Sequence, residues 1–164
     1  MLIDIDKNKA KEYCDKILSL MEVTCLTEGQ RFSFYNNLGT KYLSLEDYHS
    51  SIKYLIKALE LSEVSALRCY LCICFSYFML NETIPNIYLS YTDKTKGDHI
   101  DWLFYQFFVN LYKNKTKENK TYIMKKVFPL LRKDDTLYRR MIQRIIMRFC
   151  EEKQGYKALY EFMK

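Results

Sequence analysis

The chain has 164 residues, of which 16% are aromatic and only 4 are Gly and 2 are Pro. This composition argues against disorder over most of its length and suits one domain with a continuous core. The net charge of +6 is uneven, because residues 1–99 hold 11 Lys and Arg against 13 Asp and Glu, whereas residues 100–164 hold 15 against 7.

An amphipathic helix is predicted first, at about residues 6–22. Its apolar residues follow helical spacing and are Ala10, Tyr13, Cys14, Ile17 and Leu20. Since no paired helix precedes it in the sequence, we interpret it as the second half of an incomplete helical repeat.

A helical hairpin is predicted next, over residues 32–65. Its first helix carries apolar residues at i, i+3 and i+7, namely Tyr35, Leu38 and Tyr42, with Gly39 allowing close approach of its partner helix. Asp47 is the predicted N-cap of the second helix. The second helix has a complementary stripe formed by Tyr48, Ile52, Leu55, Ala58 and Leu59.

This hairpin resembles the tetratricopeptide repeat. The residues that match its consensus are Tyr35, Leu38, Gly39, Tyr42 and Ala58, whereas Ser51, Leu55 and Glu63 depart from it. The resemblance implies an all-α fold, a right-handed α-α superhelix of about four irregular hairpins that forms one domain over residues 1–164.

Three degenerate repeats are predicted after the clear one, at about 67–97, 98–133 and 136–164. The first begins with Tyr70, Ile73, Cys74 and Tyr77, and its second helix is expected to be short because Pro85 and a polar tail follow. The next begins with Trp102, Tyr105 and Val109 and continues with a helix at about 117–132. The last pairs a helix bearing Ile142, Ile145, Ile146 and Phe149 with one bearing Ala158 and Phe162.

In tetratricopeptide families the first helix of each repeat lines a concave groove that binds ligands. Carried onto this sequence, the groove residues include Asn36, Asn37 and Thr40, and then Arg68, Phe75, Phe78 and Met79. A side-chain amide offers donors and an acceptor, so Asn36 and Asn37 suit the backbone of a bound peptide or protein segment. The alternative for Phe75, Phe78 and Met79 is packing against the following helix.

The segment Tyr-Asn-Asn-Leu-Gly and the helix after it are also similar to the repeat domains of Gram-positive peptide-pheromone-sensing regulators. That resemblance implies the sensor part of a peptide-responsive transcriptional regulator, in which Asn37 contacts the peptide backbone. Such regulators begin with a helix-turn-helix domain that this sequence does not show. The alternative is therefore a stand-alone scaffold or dimerisation module, and a homo-oligomer is expected in either case.

Nucleic acid is a weaker alternative partner. Arg140, Arg144 and Arg148 recur every four residues, so they form a basic ridge on one side of a predicted helix. Charge runs of this kind are usually solvated faces, and Glu151 and Glu152 dilute this one.

Neither catalysis nor a cofactor is predicted. The sequence has no Gly-rich phosphate loop, no G-x-S-x-G and no H-E-x-x-H motif, and His49 and His99 stand alone. Cys69, Cys72 and Cys74 lack a second ligand pair, so we expect small buried residues and no metal.

No membrane span or secretory signal is predicted. The longest apolar stretches, such as 142–149, contain Arg and fall short of the roughly 20 residues that cross a bilayer. The N-terminus lacks a basic region followed by an apolar core. The sequence therefore predicts a cytoplasmic protein.

Overall fold

The computed structural model describes residues 7–23, 25–61, 66–92, 99–112, 138–141 and 144. Its elements are α1 (Lys7–Val23), α2 (Glu28–Ser44), α3 (Tyr48–Leu61), α4 (Ala66–Leu80), α5 (Asn86–Leu89) and α6 (His99–Tyr112). These ranges contain helices and no strand, which confirms the all-α fold. The chain divides into two compact units, Met1–Phe108 and Val109–Lys164.

Helix α1 confirms the predicted N-terminal helix but packs through a different stripe. Ala10 and Cys14 are buried, and Ile17, Leu18 and Met21 pack against the same core cluster. This register turns Tyr13 and Leu20 outward, where they are 64% and 59% exposed. Leu18 and Met21 take the inner positions, so Tyr13 and Leu20 of the predicted apolar set lie outside the core.

Helix α2 begins at Glu28, ahead of the predicted start of the repeat at Phe32. The reason is a capping box, a reciprocal pair of hydrogen bonds at the helix start. The Thr27 hydroxyl accepts from the Gln30 backbone N–H at 3.3 Å, and the Gln30 side chain accepts from the Thr27 N–H at 2.9 Å.

The α2–α3 hairpin has the close approach that Gly39 predicted. A Cβ placed at Gly39 would lie 2.5 Å from Leu55 Cγ, so only glycine fits without displacement. The Ser51 hydroxyl donates to the Gly39 carbonyl at 2.8 Å and satisfies both buried groups. The predicted cap is also confirmed, because Asp47 Oδ1 accepts from the Ser50 N–H at 3.1 Å.

Helices α2 and α4 end in the same way. Glu46 and Asn81 both adopt left-handed backbone, with φ of 67° and 62°. The Asp47 N–H donates to the Tyr42 carbonyl and the Glu82 N–H donates to the Tyr77 carbonyl, at 3.0 and 3.1 Å. These are Schellman-type ends, so α2 and α4 end with the same backbone geometry.

The short helix predicted around Pro85 is present, since α5 is a single turn that follows this proline. Helix α6 then packs beside it through Tyr105, which is fully buried. The Tyr105 hydroxyl donates to the Tyr88 carbonyl at 2.7 Å and accepts from the Tyr91 N–H at 2.9 Å. Trp102 is half-buried on the same helix, with its ring centroid 5.9 Å from that of Tyr105.

In the second unit, Tyr138 and Met141 are buried and the described residues 138–141 and 144 are helical. The predicted helix at about 117–132 and most of the last repeat, including its second helix, lie outside the described residues. No helix in the part of the chain that the structure describes is long and apolar enough to span a membrane.

Candidate functional site

The two adjacent asparagines of α2 have different surroundings. Asn36 is half-buried, and its Oδ1 accepts a hydrogen bond from the Cys69 thiol of α4 at 3.3 Å. Asn37 is exposed, and its side chain makes no hydrogen bond to any residue that the structure describes. Asn36 therefore joins two helices, whereas the Asn37 side chain is exposed to solvent.

Asn37 lies at a cavity between α1 and α2, here called the α1–α2 cavity. Its volume is about 320 Å³. The walls are mostly apolar, with Asn37 and Lys41 as the polar members. The lining residues are Tyr13, Cys14, Ile17, Phe34, Asn37, Leu38 and Lys41.

The Lys41 ammonium acts electrostatically on the Cys14 thiol, which also lines this cavity. Burial raises the pKa of the Cys14 thiol, and the nearby Lys41 ammonium partly opposes that rise. Cys14 therefore contributes a neutral, apolar surface to the cavity at neutral pH, while Lys41 contributes a positive charge at the polar side.

The remaining predicted residue of α2, Thr40, is half-buried. Its hydroxyl donates to the Asn36 carbonyl one turn earlier, at 2.8 Å. The Thr40 hydroxyl is thus already engaged by its own helix, although it keeps acceptor capacity for a ligand.

The predicted cation of the second repeat, Arg68, forms an ion pair with Asp101 of α6. Its Nε lies 3.3 Å from both carboxylate oxygens. The Asp101 side chain is 2% exposed and that of Arg68 is 39% exposed. Arg68 therefore has a structural partner that the sequence pattern did not predict, while part of its side chain reaches the surface.

The predicted apolar wall separates into two parts. Phe75 is fully buried between Tyr48 and Phe108, with ring centroids 6.1 and 5.8 Å away. Phe75 therefore packs against the following helix, which was the alternative interpretation. Its predicted place in the groove was wrong, because neighbouring rings enclose α4 at this point. Phe78 and Met79 are half-buried near the end of the helix.

The basic ridge lies partly within the described residues. Arg140 and Arg144 are both half-buried. Arg148 lies outside the described residues, so the ridge stays a prediction.

The cysteines of α4 are buried as small apolar residues, as predicted. Burial raises the pKa of Cys69 and of Cys74 to about 12 and raises that of Cys72 as well. All three are free thiols. Within the described ranges no group of three or more His, Cys, Asp or Glu side chains could hold a metal ion.

Sequence reasoning missed four residues of this region. Tyr13, Phe34 and Lys41 line the α1–α2 cavity, and Asp101 pairs with Arg68. The spacing of Phe34, Asn37 and Lys41 at i, i+3 and i+7 could have indicated one shared face of α2. No comparable signal in the sequence pairs Asp101 with Arg68.

Comparison with known proteins gives one match. A tetratricopeptide repeat model matches residues 32–64, which include α2 from Phe32 onward and all of α3. Neither curated proteins nor solved structures give a match. Tetratricopeptide repeats generally mediate protein–protein interaction and are typically non-catalytic. On the match and on the hairpin geometry together, this chain contains a tetratricopeptide repeat within an all-helical fold.

Proposed function

We propose that this chain is a non-catalytic interaction domain that binds a peptide or a segment of a partner protein along α2. The observation that carries the proposal is Asn37, an exposed amide at the polar side of an apolar cavity of about 320 Å³. Such an amide can pair with both the N–H and the C=O of a ligand backbone, while an apolar ligand side chain enters the cavity.

The contact would extend from Asn37 toward the second repeat. Asn36, Thr40 and the exposed part of Arg68 offer polar groups in that direction, and Phe78 and Met79 offer half-buried apolar surface. In this proposal Asn36 and Arg68 act mainly by holding α2, α4 and α6 together, because each already has a protein partner.

We also propose that the domain is the sensor part of a cytoplasmic, peptide-responsive transcriptional regulator that works as a homo-oligomer. The similarity of the Asn36–Asn37 segment to peptide-pheromone regulators supports this role. The free thiols of Cys14, Cys25, Cys69, Cys72 and Cys74 are in keeping with a reducing compartment. Ligand binding would change the packing between repeats or between copies.

The test is selection of random peptides displayed on phage against the immobilised chain, followed by fluorescence anisotropy of the enriched peptides. We expect Asn37→Ala to weaken binding about tenfold, the loss of one or two hydrogen bonds. The matched control is Asn86→Ala, the same change at an exposed position of α5. Enriched peptides that bind both variants equally would contradict the role of Asn37.

A further inference from the structure

Another cavity lies between α3, α4 and the segment formed by α5 and the residues after it, and is here called the α3–α5 cavity. Its volume is about 400 Å³, near the low end of the roughly 300–1,000 Å³ range of small-molecule pockets. Such a volume suits one long side chain. The wall combines aromatic rings, aliphatic side chains and hydroxyl groups. The lining residues are Leu59, Ala66, Tyr70, Ile87, Ser90, Tyr91 and Thr92.

The aromatic part of this cavity is the stacked pair Tyr70 and Tyr91, whose ring centroids are 4.5 Å apart with the planes 28° from parallel. The Tyr88 ring meets the Tyr70 ring edge-on, with the centroids 5.8 Å apart. The Tyr105 hydroxyl holds this segment, because it donates to the Tyr88 carbonyl and accepts from the Tyr91 N–H. The rings are therefore held in place by the protein itself, which lowers the entropy cost of binding a ligand.

The remaining wall offers apolar surface and hydrogen-bond acceptors. Ile87 lines the cavity although 64% of its surface is exposed. Leu59 of α3 is half-buried on the wall. The Ser90 hydroxyl donates to the Ile87 carbonyl at 3.3 Å and keeps its lone pairs for a further donor. A long side chain with an aliphatic stem and several N–H groups matches both kinds of surface.

Carboxylates lie close to the tyrosines beside the cavity. Burial raises the pKa of the Tyr88 phenol, and the exposed Glu60 of α3 adds to that rise. Burial and the Glu82 carboxylate do the same to Tyr77, whose ring stacks on that of Tyr88. This negative charge favours a cationic ligand.

The lysine and arginine side chains of α3 and α4 are directed elsewhere. Lys53 and Lys57 of α3 lie over the rings of Tyr54 and Tyr35, at 5.5 and 5.4 Å from the ring centroids. Arg68 of α4 is the cation of the ion pair with α6, and α5 carries neither Lys nor Arg. Among the described residues, these three helices therefore present negative charge to a ligand in the cavity.

From these observations we infer that the α3–α5 cavity binds an arginine side chain of a partner protein. The guanidinium ion is planar, stacks on aromatic rings and carries five N–H donors. In the complex its aliphatic stem lies along Leu59 and Ile87. The guanidinium meets the Tyr70–Tyr91 pair, and the Ser90 hydroxyl accepts one of its N–H groups. The inference goes beyond the proposed function, since it concerns a cavity on other helices.

The first test is a titration of the ¹⁵N-labelled chain with N-acetyl-arginine-methylamide, followed by amide NMR spectra. The comparison probes are the citrulline derivative, which is neutral and has nearly the same shape, and the lysine derivative, which has the charge but no plane. We expect shifts at the Tyr91 and Thr92 amides, and the arginine probe should bind at least about fivefold more tightly than either comparison probe. Equal binding of the arginine and citrulline probes would overturn the inference. So would unchanged amides at about 10 mM arginine probe, roughly tenfold above a millimolar Kd.

A substitution on the cavity wall tests the location. Ile87→Lys puts an ammonium beside the bound guanidinium and is expected to weaken the arginine probe about fivefold. The matched control is Leu20→Lys on α1, the same change of charge at a side chain that is 59% exposed, and it should leave the affinity within about twofold. Because both side chains are largely exposed, neither substitution removes a core contact. Equal effects of the two variants would contradict a site at this cavity, since net charge alone would explain them.

Three outcomes concern the source of the cation. Tighter binding of free arginine than of the blocked derivative would point to the amino acid and overturn a protein partner. Lys94 and Lys96 come soon after Thr92 in the sequence. If replacing both by Ala strengthens the arginine probe about tenfold, the chain's own lysine competes for the cavity and the inference is overturned. If Ile87→Lys converts a dimer of the free chain into a monomer in sedimentation experiments, a second copy occupies the cavity and the inference of a different partner is wrong.

The two proposals fail separately. Asn37→Ala should leave binding of the arginine probe unchanged, because Asn37 lines the α1–α2 cavity instead. Loss of the arginine probe in that variant would contradict an independent site at the α3–α5 cavity.

Discussion

Small side chains decide how closely the helices of this protein approach. Gly39 removes the Cβ that would meet Leu55, and Ser51 stands where the repeat usually has Ala. The Ser51 and Ser76 hydroxyls are fully buried and donate to the carbonyls of Gly39 and Cys72, each at 2.8 Å. Because each hydroxyl is satisfied, burying it costs little, and α2, α3 and α4 pack without a large side chain between them.

Substitution at this contact should be severe. In Gly39→Ala the new Cβ would lie 2.5 and 2.8 Å from Leu55 Cγ and Cδ2 and 3.1 Å from its backbone nitrogen. We expect the free energy of unfolding to fall by about 2 kcal/mol, because overpacking outweighs the better helix propensity of Ala. Urea denaturation followed by far-UV circular dichroism measures the change.

A matched control exists in the same helix. A Cβ at Gly29 would have nothing within 4 Å, so Gly29→Ala should be neutral or stabilise by up to about 1 kcal/mol. If the two alanine variants were equally stable, the close contact between α2 and α3 would be contradicted.

At the scale of helices, polar side-chain contacts connect α2 with α4 and α4 with α6. The Cys69 thiol donates to Asn36 Oδ1 between α4 and α2, and Arg68 pairs with Asp101 between α4 and α6. The second contact buries the Asp101 carboxylate almost completely. Its ion pair with Arg68 therefore offsets part of the free-energy cost of burying that charge.

Removal of the cation should therefore weaken the association of α4 with α6. Arg68→Met keeps the apolar stem but leaves Asp101 without this ion pair, and we expect a loss of about 2 kcal/mol in the free energy of unfolding. Arg31→Met, the same change at an exposed position of α2, should cost less than about 0.5 kcal/mol. Thermal melts of both variants give the comparison, and similar melting temperatures would show that the pair contributes little.

The helices of the first repeat were predictable because their signals are local. Gly39, Asp47 and the spacing of Tyr35, Leu38 and Tyr42 each specify the backbone within a few residues. The left-handed residues Glu46 and Asn81 were not predicted, because the commonest signal for such a helix end is glycine.

The candidate site was less predictable because it depends on contacts between distant segments. The α1–α2 cavity depends on the orientation of α1 about its own axis relative to α2. The spacing of the apolar residues in α1 does not fix that orientation to within one residue. Tyr13 is an example, because its spacing from the other apolar residues of α1 suits the buried side of the helix, whereas the structure exposes it to solvent. Phe75 was placed in the groove from the repeat consensus, but Tyr48 and Phe108 enclose it.

At the scale of the whole molecule, burial raises the pKa of several tyrosine phenols. Burial raises the pKa of Tyr42 to about 12 and raises that of Tyr105 as well, although the hydrogen bond with the Tyr91 N–H opposes the latter. Burial likewise raises the pKa of Tyr54 and Tyr88. The folded state therefore holds protons that the unfolded chain releases near pH 10.

Stability should consequently fall in alkali. These phenols keep their protons to higher pH in the folded state than in the unfolded chain. Their contribution to the free energy of unfolding is therefore fully present below about pH 10 and is lost as the pH rises toward their folded pKa values. The urea midpoint should be lower at about pH 11 than at about pH 8. Tyr42→Phe should reduce that difference, since it removes one titrating group, whereas an unchanged pH dependence in this variant would contradict the raised pKa of Tyr42.

The single tryptophan gives the molecule an optical label on one helix. Trp102 is half-buried on α6 beside Tyr105, and the whole chain has 15 tyrosines. The indole emission that is sensitised by tyrosine absorption therefore depends on how many phenol rings remain within energy-transfer range of Trp102. Read together with circular dichroism during unfolding, this emission distinguishes release of α6 from melting of the earlier hairpin, without any dye or added cysteine.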